Sequence, residues 1–556
     1  MKNLKKIVSA VLMAVPLVII TSCDDKFLKE DARTQITDNY LSTPVGFNDA
    51  VNGVYSYLRI FIENESVPHM TTMGTDLWSN GFDGGYKAFN YYDANLNSRT
   101  SVFDGVWNRL YAGINSANAV ITRAPDIAGL DEAVKNQRVA ETKFMRALFY
   151  HFLVQAWGPV YITTTETTGI ITEAPRSPVS EVYDLIVKDL TEAIPLLPGT
   201  ATGSNYGRVT KPAAEHLLAL VYLTRAGGSA AKADDYKNAA ALAEGVIKNY
   251  NFKLLDDFSA VFALGEAVER HAEVVFAIQN SQSFLTGELG NTLHAYWLAK
   301  YDDLPGVTRD LANGRPWARF RPTNFTLTTL FDKAKDARYE KSFKRVFYTN
   351  TPGTFTKVQG GTMTLKNGDT ALYIVDEQWP ADKLAAAKYS VYQLSRQSDR
   401  VYPTLTKFLD PTRASVPEMR GTRDFLLFRL AETMLIASEA LMMDNRSAEA
   451  VVYINQIRRR AAKVGKTPAE TAANKLAMEV TPADLNIDFI LDERGRELLG
   501  EMKRWFDLTR TGKLVERVKK YNPAATGIKQ THTLRPIPQN QIDRSSSPHD
   551  QNEGYN

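Results

Sequence analysis

The chain has 556 residues, with 66 lysine and arginine residues against 63 aspartate and glutamate residues, a formal net charge of +3. Three of the lysines, Lys2, Lys5 and Lys6, lie in the first 22 residues, which contain no acidic residue. The rest of the chain is therefore neutral overall, which argues against binding to nucleic acid or to an anionic membrane surface. A hydrophobic content of 44% with 23% charged residues is that of a globular protein and excludes a disordered or fibrous chain. The single cysteine excludes a disulfide framework and a cysteine-based metal site.

The first 22 residues have the form of a secretory leader that ends at the only cysteine. After the lysines comes a nearly uninterrupted apolar run over 7–20, which is too short to span a bilayer because a spanning helix takes about 20 residues. Thr21 and Ser22 then precede Cys23, which resembles the bacterial lipobox, where the cysteine is diacylated and becomes the mature N-terminus. The alternative is a plain signal peptide followed by an incidental cysteine.

Two aspartates, Asp24 and Asp25, directly follow the cysteine. They resemble the acidic signal that directs lipoproteins of the Bacteroidetes to the cell surface. Several acyl chains at one terminus are enough for stable membrane anchoring. We therefore predict a signal peptide over 1–22, a tether over 23–40 that is lipidated at Cys23, and an outer-membrane location that faces the cell exterior.

The length of the chain exceeds one ordinary domain, and its periodic segments predict a mainly helical fold. Apolar residues at helical spacing, such as Phe144 and Leu148, indicate a helix that is buried over a wide arc. The pattern predicts helices over 144–156, 180–197, 212–226, 236–250, 422–443 and 448–461. Alanine-rich sequences over 212–226 and 236–250 allow the close approach that stacked helix pairs require. We predict a tetratricopeptide-like helix-pair scaffold, an α/α superhelix, with a turn at Asn445.

A loop-rich segment interrupts this scaffold between about 271 and 420. It is rich in Gly, Pro, Thr and Asn, holds three of the seven tryptophans, and has possible strands over 274–278 and 372–375. Long irregular segments on a rigid scaffold commonly carry function. The predicted regions are an N-terminal helical region over 41–270 and a C-terminal region over 271–556, with helical pairs over 422–510.

The sequence carries none of the motifs that common catalytic sites use. There is no P-loop, dinucleotide-binding glycine motif, nucleophile elbow or HExxH zinc motif, and the seven histidines never stand in metal-ligand spacing. We therefore predict a protein that is not an enzyme and that holds no cofactor or metal ion.

Three glutamates, Glu493, Glu497 and Glu501, recur every four residues and so share a helix face. One interpretation is a carboxylate pair for glycoside hydrolysis, which needs a separation of roughly 5–9.5 Å around a sugar ring. The other, which we favour, is an ion-pair lattice that ties helices together. The cations predicted for this lattice are Arg494, Arg496, Lys503, Arg504 and Arg510.

Two segments combine aromatic residues with amide, carboxylate and glycine residues, the composition that a carbohydrate site needs. Sugar rings present apolar C–H faces that lie flat on indole and phenol rings, and their hydroxyls bind Asp, Asn and Arg. The first segment is 73–92, and the second joins 296–297 to 315–317. The candidate ligand-binding residues are Asp76, Trp78, Asn80, Tyr86, Tyr91, Tyr92, Tyr296, Trp297, Arg315 and Trp317. The alternative is that these aromatics hold loops in small cores. Three further tryptophans, Trp107, Trp157 and Trp505, lie in periodic helices or at their ends and are predicted to be core residues.

Several short motifs recur in order along the chain and carry a resemblance to a known family. They are CDDKFL at 23–28, Trp107 with Tyr111, Ile114, Ala117 and Asn118, FMRALFY at 144–150, WG at 157–158, VYDLI at 182–186, GRVTK at 207–211, LDERGREL at 491–498, RWFDL at 504–508, PIPQ at 536–539, QN at 551–552 and GY at 554–555. In this order and spacing the chain resembles the SusD/RagB family, the surface nutrient-binding lipoproteins of the Bacteroidetes. It departs from the family at Gln541, where Glu is usual, at 544–547, where Arg-Ser-Ser-Ser replaces an Asn-Pro turn, and at 160–161, where Val-Tyr replaces Pro-Leu.

The resemblance implies four tetratricopeptide-like helix pairs that carry a loop-rich ligand lobe, and it implies no catalysis. It also implies a partner, a SusC-like TonB-dependent transporter in the same outer membrane, over which the lipoprotein acts as a hinged lid. The family's ligand-binding residues are not in the motifs that match, so the candidate residues above rest on local composition alone.

We therefore predict a cell-surface lipoprotein that captures a glycan, an oligosaccharide or polysaccharide, and delivers it to this transporter. The nearest alternative is a peptide-binding RagB-like receptor with the same partner, in which main-chain hydrogen bonds replace stacking. Two further alternatives are a glycosidase and a tetratricopeptide scaffold that binds another protein. The loop-rich interruption argues against the scaffold, since adaptor repeats usually run unbroken.

Overall fold

The computed structural model describes residues 38–265, 270–281, 283, 290–547 and 550–555. The predicted signal peptide, the predicted lipidation site Cys23 and most of the predicted tether lie outside these residues. Within the described ranges, no helix combines the length and the apolar composition that crossing a membrane requires.

A continuous stack of helices forms the scaffold. Numbered in chain order, the longer helices of the described residues are α1 Pro44–Ser56, α2 Ser101–Arg123, α3 Glu132–Trp157, α4 Val179–Ala193, α5 Lys211–Ala226, α6 Asp235–Asn249, α7 Leu430–Met443, α8 Ser447–Ala461, α9 Pro468–Ala477, α10 Ile487–Glu497, α11 Arg504–Arg510 and α12 Leu514–Tyr521. From α2 to α8 each helix packs against the next, and α10 packs against α7. Shorter helical segments are Asp38–Leu41, Ser66–Thr71, Ala88–Tyr91, Asn324–Thr328, Arg338–Ser342, Ala381–Ala386 and Gln539–Arg544. The stack confirms the predicted mainly α, tetratricopeptide-like superhelix.

Local sequence explains where these helices begin, end and touch. The Asp131 side chain accepts the Val134 N–H at 3.1 Å and so caps α3, which ends at Gly158 with a φ of 73° that favours glycine. Helices α5 and α6 approach closely because fully buried alanines, among them Ala219 and Ala239, lie between them. Asn445 forms the predicted turn between α7 and α8, with a left-handed φ of 62°.

Between α6 and α7 the chain leaves the stack over residues 250–429, although these two helices pack against each other. The strands of the described residues are β1 Trp78–Asn80, β2 Val274–Ile278, β3 Phe320–Pro322, β4 Phe343–Lys344, β5 Val346–Tyr348, β6 Gly353–Thr356, β7 Thr362–Leu365, β8 Thr370–Ile374, β9 Ser390–Tyr392, β10 Thr404–Leu405 and β11 Phe425–Arg429. Antiparallel pairing joins β1 to β3, β2 to β11, β4 to β10, β5 to β8 and β6 to β7, and β9 adds to β8 in parallel. Strands β2 and β8 confirm the two predicted strands. The predicted region boundaries stay predictions.

The predicted helix over 422–443 is wrong in its first part. Residues Phe425–Arg429 form β11, which pairs with β2, and α7 begins only at Leu430. A short apolar run such as 425–428 suits a buried strand as well as a helix, and here the pairing with a strand distant in sequence decides between them.

The hydrophobic core connects the helical stack to the C-terminal segment. Trp107, Trp157 and Trp505 are buried, as predicted, and the Trp107 and Trp157 rings meet edge to face at 5.2 Å. The Trp157 Nε1 donates to the Pro536 carbonyl at 2.8 Å. The motifs at 157–158 and 536–539 are therefore one structural unit.

Candidate ligand-binding site

The two aromatic segments predicted as a carbohydrate site lie against each other. Strand β1 pairs with β3, so that Trp78 lies opposite Pro322 and Asn80 opposite Phe320. The Trp78 and Trp297 ring centroids are 4.7 Å apart. The sequence thus identified two segments that belong to one region, although each was selected by its local composition.

Four of the predicted aromatic residues are nevertheless core residues. Trp78 and Trp297 are each 1% exposed, and Phe320 covers the second indole at 4.6 Å. Tyr296 is also buried, and the buried Tyr92 donates its hydroxyl to the Gly74 carbonyl at 2.9 Å. The prediction that these four rings bind a ligand is wrong for this conformation, because none of them has a face that a sugar could reach.

The predicted polar ligands Asp76 and Asn80 are also occupied inside the protein. Asp76 accepts from Arg504 Nε at 2.8 Å and from Arg517 Nε at 2.7 Å, and all three side chains are buried. Burial raises the pKa of Asp76, but the two guanidiniums outweigh this and hold the pKa below its usual range. Asn80 accepts from Asn90 Nδ2 at 2.9 Å. These two candidates are therefore corrected to structural residues.

The remaining four candidates, Tyr86, Tyr91, Arg315 and Trp317, are half-buried. Tyr86 packs on the buried His69 ring at 5.2 Å, and Trp317 packs on Tyr296 at 5.5 Å. The Tyr91 carbonyl accepts the Gly527 N–H at 3.0 Å, which places its backbone against the C-terminal segment. These residues keep part of their surface open, so they stay predictions as ligand-binding residues.

The half-open aromatic surface also includes Phe82, which is not among the residues predicted from the sequence. Phe82 is half-buried and packs against a small cluster that includes Ala318. The next residue of its loop, Asp83, donates its N–H to the Ala318 carbonyl at 3.3 Å, which joins the loop to the turn that carries Trp317. We call Phe82 and Trp317 the aromatic platform. Arg319 joins its two sides, because its guanidinium lies 5.0 Å from the Trp317 ring and its side chain lines the space beside Gly84.

Glycine makes this loop geometry possible. A Cβ atom on Gly81 would lie 2.1 Å from the Ala318 carbonyl oxygen, so only glycine lets the loop approach the turn this closely. Gly84 has a φ of 101°, a region that other residues rarely adopt. An aromatic residue between two such glycines lies outside any helix or strand that would bury it. The position of Phe82 between Gly81 and Gly84 is therefore the sequence signal that could have identified it.

Charged groups surround the platform. Arg319 forms an ion pair with Glu65, and the Arg400 guanidinium lies 3.3 Å from the Phe82 ring centroid. Beneath them, burial lowers the pKa of His69 to about 4, although Glu65 opposes the shift, so the imidazole is neutral at neutral pH. The platform can therefore offer the Trp317 ring as a stacking surface, with cationic hydrogen-bond donors beside it.

The three regularly spaced glutamates form the predicted ion-pair lattice, mostly with other partners than expected. Glu493, Glu497 and Glu501 are buried, and Glu493 pairs with the predicted Arg496 at 3.0 Å. Their remaining cations come from distant segments and are Arg338, Lys407, Arg429, Arg458 and Arg460. The predicted cations Arg494, Lys503, Arg504 and Arg510 instead bind Asp76, Glu432, Glu439 and Asp507. Both oxygens of Glu493, Glu497 and Glu501 are bound to cations, and these carboxylates hold the fold together.

A polar cavity of about 270 Å³ lies elsewhere, beside α1, and two of its lining side chains, Tyr55 and Arg208, are bound to the buried Glu141. Arg208 donates to Glu141 at 2.8 Å and to Asn52 at 2.7 Å, and Tyr55 donates to the same glutamate at 2.9 Å. Among the described residues, no group of histidine, cysteine and acidic side chains is arranged to hold a metal ion. The aromatic platform is therefore the best candidate site.

Comparison with known proteins gives the family. The profile described as "SusD family" matches residues 291–555, and the profile described as "Starch-binding associating with outer membrane" matches residues 29–223. SusD-like protein P2 of Formosa agariphila is 25% identical over 562 residues, which cover 97% of this chain and 98% of that protein.

Two solved structures share the fold. A laminarin-binding SusD-like protein superposes with a TM-score of 0.70 at 21% identity, over 92% of this chain and 100% of that chain. A SusD homologue from Bacteroides thetaiotaomicron superposes with a TM-score of 0.71 at 20% identity, over 94% of this chain and 100% of that chain. The two profile matches, the full-length relatives and the common fold agree with one another, and the chain belongs to the SusD/RagB family.

Proposed function

We propose that this protein is a non-catalytic, glycan-binding lipoprotein of the cell surface that delivers an oligosaccharide or polysaccharide to a SusC-like TonB-dependent transporter. The observation that carries the proposal is the aromatic platform, where Phe82 and Trp317 stay half-open beside Arg319. The laminarin-binding relative and the starch-binding description of the N-terminal profile support a glycan as the ligand.

The chemistry of the platform suits a sugar. The apolar C–H face of a pyranose ring can lie on an indole or phenyl ring and be removed from water, which stabilises a complex by about 1.5 kcal/mol per ring. Arginine donates several hydrogen bonds in a fixed geometry, which suits neighbouring hydroxyls. The Trp317 ring with the Arg319 guanidinium 5.0 Å away therefore offers a sugar both a stacking face and hydrogen-bond donors.

Absence of catalysis is part of the proposal. The strongest acidic cluster, Glu493 with Glu497 and Glu501, is buried and bound to arginine and lysine. Cationic neighbours outweigh burial and hold the pKa of each carboxyl below its usual range, so none is available to a sugar as a general acid.

The test is calorimetric titration of the full-length protein, solubilised in mild detergent, with laminarin, starch and a wider panel of polysaccharides. The same samples are assayed for new reducing ends. We expect binding to one glycan class without product, and a roughly tenfold weaker Kd for both Phe82→Ala and Trp317→Ala. Tyr348→Ala is the matched control, because Tyr348 is an aromatic residue of β5 that is 56% exposed. Release of reducing ends would contradict the proposal, and so would equal Kd values for all three variants.

The peptide-binding alternative is tested in the same instrument with a mixture of tryptic peptides. If the protein bound peptides and no polysaccharide, the proposed ligand would be a peptide and not a glycan. Binding of polysaccharide alone would remove the alternative.

Delivery to a transporter and lipid anchoring need their own experiments. We expect a large outer-membrane barrel protein to co-purify after mild detergent extraction, and labelled palmitate to be incorporated in the wild-type chain but not in Cys23→Ala. Recovery of the chain alone, in repeated extractions, would contradict the transporter partnership. Palmitate incorporation that survives Cys23→Ala would contradict the predicted lipidation site.

A further inference from the structure

We infer that the ligand of the aromatic platform is an anionic glycan, which carries carboxylate or sulfate groups on its sugar rings. This inference rests on the proposed glycan-binding function and adds the chemical class of the ligand. It comes from the charges around Phe82 and Trp317.

Cationic side chains converge on the platform from four separate segments. These residues are Lys87, Lys300, Arg315, Arg319, Arg321 and Arg400, and each is half-buried or exposed. Arg319 and Arg321 flank the buried Phe320 in β3, and side chains alternate along a strand, so both point away from the core. The Arg400 guanidinium covers Phe82, and the Arg315 guanidinium lies 5.9 Å from the Trp317 ring centroid.

Three of these cations are neutralised by the protein. Arg319 pairs with Glu65, Arg400 pairs with Asp303 at 2.9 Å, and Lys300 lies 3.6 Å from Asp302 and 3.9 Å from Asp83. The acidic residues of this surface are largely committed to these pairs. They leave little negative charge for any other cation of the platform.

The other three have no carboxylate at ion-pair distance within the described part of the chain. Arg315 donates to the Pro417 carbonyl at 2.5 Å, and the Lys87 ammonium lies 5.9 Å from the Phe82 ring centroid. Arg321 is half-buried, and burial lowers its pKa in spite of Tyr402 and Asp399 nearby. A partly desolvated guanidinium that forms no ion pair is costly unless a ligand supplies a carboxylate or a sulfate.

Position makes this surplus of charge a recognition feature. Arg315 lies beside Trp317 and Lys87 beside Phe82, so a glycan that stacks on Trp317 and extends past Phe82 would bring its substituents toward both cations. An arginine binds a carboxylate or a sulfate through two parallel hydrogen bonds, which a neutral hydroxyl cannot match in strength. A neutral glycan would leave both cations without a counter-ion, whereas an anionic glycan would supply one.

The experiment compares glycans that share a backbone and differ in charge. The probes are polygalacturonate against its methyl ester for carboxylate, and dextran sulfate against dextran for sulfate, each titrated into the full-length protein. We expect one anionic polymer to bind at least tenfold more tightly than its neutral counterpart, with an affinity that falls when sodium chloride is raised from about 0.05 M to about 0.5 M. The pair that shows the difference identifies carboxylate or sulfate as the recognised group.

Variants separate a local contact from general charge attraction. We expect Arg315→Gln and Lys87→Gln each to weaken binding of the anionic polymer by roughly fivefold to tenfold. Arg459→Gln is the charge-matched control, because Arg459 lies on α8 and is paired with Glu479 away from the platform. Equal loss in all three variants would overturn the inference.

The other outcomes are equally decisive. If the protein bound a neutral glycan as tightly as its charged counterpart, with a Kd that changed neither with salt nor in Arg315→Gln, the inference would be overturned and the proposed function would stand. Binding of poly-glutamate in place of any polysaccharide would overturn both, since the surface would then recognise an acidic peptide. No binding of any polymer, charged or neutral, would contradict the proposed function and the inference together.

Discussion

Asp76 separates the structural role of the aromatic region from its ligand-binding role. Its two carboxylate oxygens accept from Arg504 at 2.8 and 2.6 Å and from Arg517 at 2.7 Å, and none of the three side chains is exposed. We expect Asp76→Asn to destabilise the protein without weakening ligand binding by the folded molecules. The amide has the size of the carboxylate, but it carries no charge and turns an N–H₂ group toward a guanidinium.

The magnitude follows from what each arginine retains. Loss of one partner from a buried ion pair costs about 3–5 kcal/mol. Arg517 still donates to Asp488 at 2.9 Å and also contacts Asp492, whereas Arg504 keeps only the Leu491 carbonyl. The loss is therefore expected at the lower end, about 3 kcal/mol.

The assay is urea unfolding at pH 7, monitored by tryptophan fluorescence. A separate titration without urea measures the Kd of the ligand. A loss of about 3 kcal/mol moves the unfolding midpoint down by roughly 0.5–1 M urea. Asp83→Asn is the control. Asp83 lies in the same region, but its side chain is partly exposed and its ion pair with Lys300 is long at 3.9 Å. Since an exposed pair contributes about 1 kcal/mol at most, the unfolding midpoint of this variant should change little. A Kd that rises tenfold in Asp76→Asn with an unchanged midpoint would refute the reasoning and restore Asp76 as a ligand-binding residue.

Two further predictions address the loop and the buried imidazole. In Gly81→Ala the new Cβ would lie 2.1 Å from the Ala318 carbonyl oxygen, so the loop must move and the ligand Kd should rise about as much as in Phe82→Ala. The control is Gly85→Ala, whose Cβ meets nothing within 4 Å and which should bind as the wild type does. Equal titration curves for the two glycine variants would contradict this prediction. Burial lowers the pKa of His69 to about 4, so between pH 6.5 and pH 4 the imidazole binds a proton more readily in the unfolded state than in the folded state. The free energy of unfolding should therefore be unaffected by this residue above pH 6.5 and should fall by up to about 3 kcal/mol as the pH is lowered toward 4. Urea midpoints at pH 7 and pH 4.5 should therefore differ less in His69→Gln than in the wild type, and identical differences would show that His69 does not titrate in this way.

The sequence predicted those parts of the fold that depend on neighbouring residues. Helices α3 to α6 and α8 follow from apolar spacing, from caps and from alanine content, all of which act within a few residues. Strand β11 was mistaken for the start of a helix because its pairing with β2 joins segments that local patterns cannot connect. The ion-pair lattice was identified from the spacing of its glutamates, but Arg338 and Arg429, which reach it from distant segments, were not.

The candidate site shows a different limit. Composition selects aromatic and acidic residues but does not say which of them the folded chain covers. Trp78 and Asp76 have the side chains that a sugar site needs, yet Trp78 packs on Trp297 and Asp76 is bonded to Arg504, which is 428 residues away in sequence. Whether an aromatic residue stacks on a ligand or on the protein is decided by such distant contacts, and no local pattern records them.

The buried candidates nevertheless determine where the platform lies. Trp78 begins β1, β1 pairs with β3, and the loop and turn that carry Phe82 and Trp317 are direct continuations of these two strands. A change at Trp78 should therefore lower stability and weaken ligand binding together, because it moves the support of both rings. A change at Trp317, which is half-open and lies in the turn, should weaken binding with little effect on stability. A comparison of the two tryptophan variants in unfolding and in titration thus distinguishes residues that contact the ligand from residues that position those contacts, a distinction that loss of binding alone does not make.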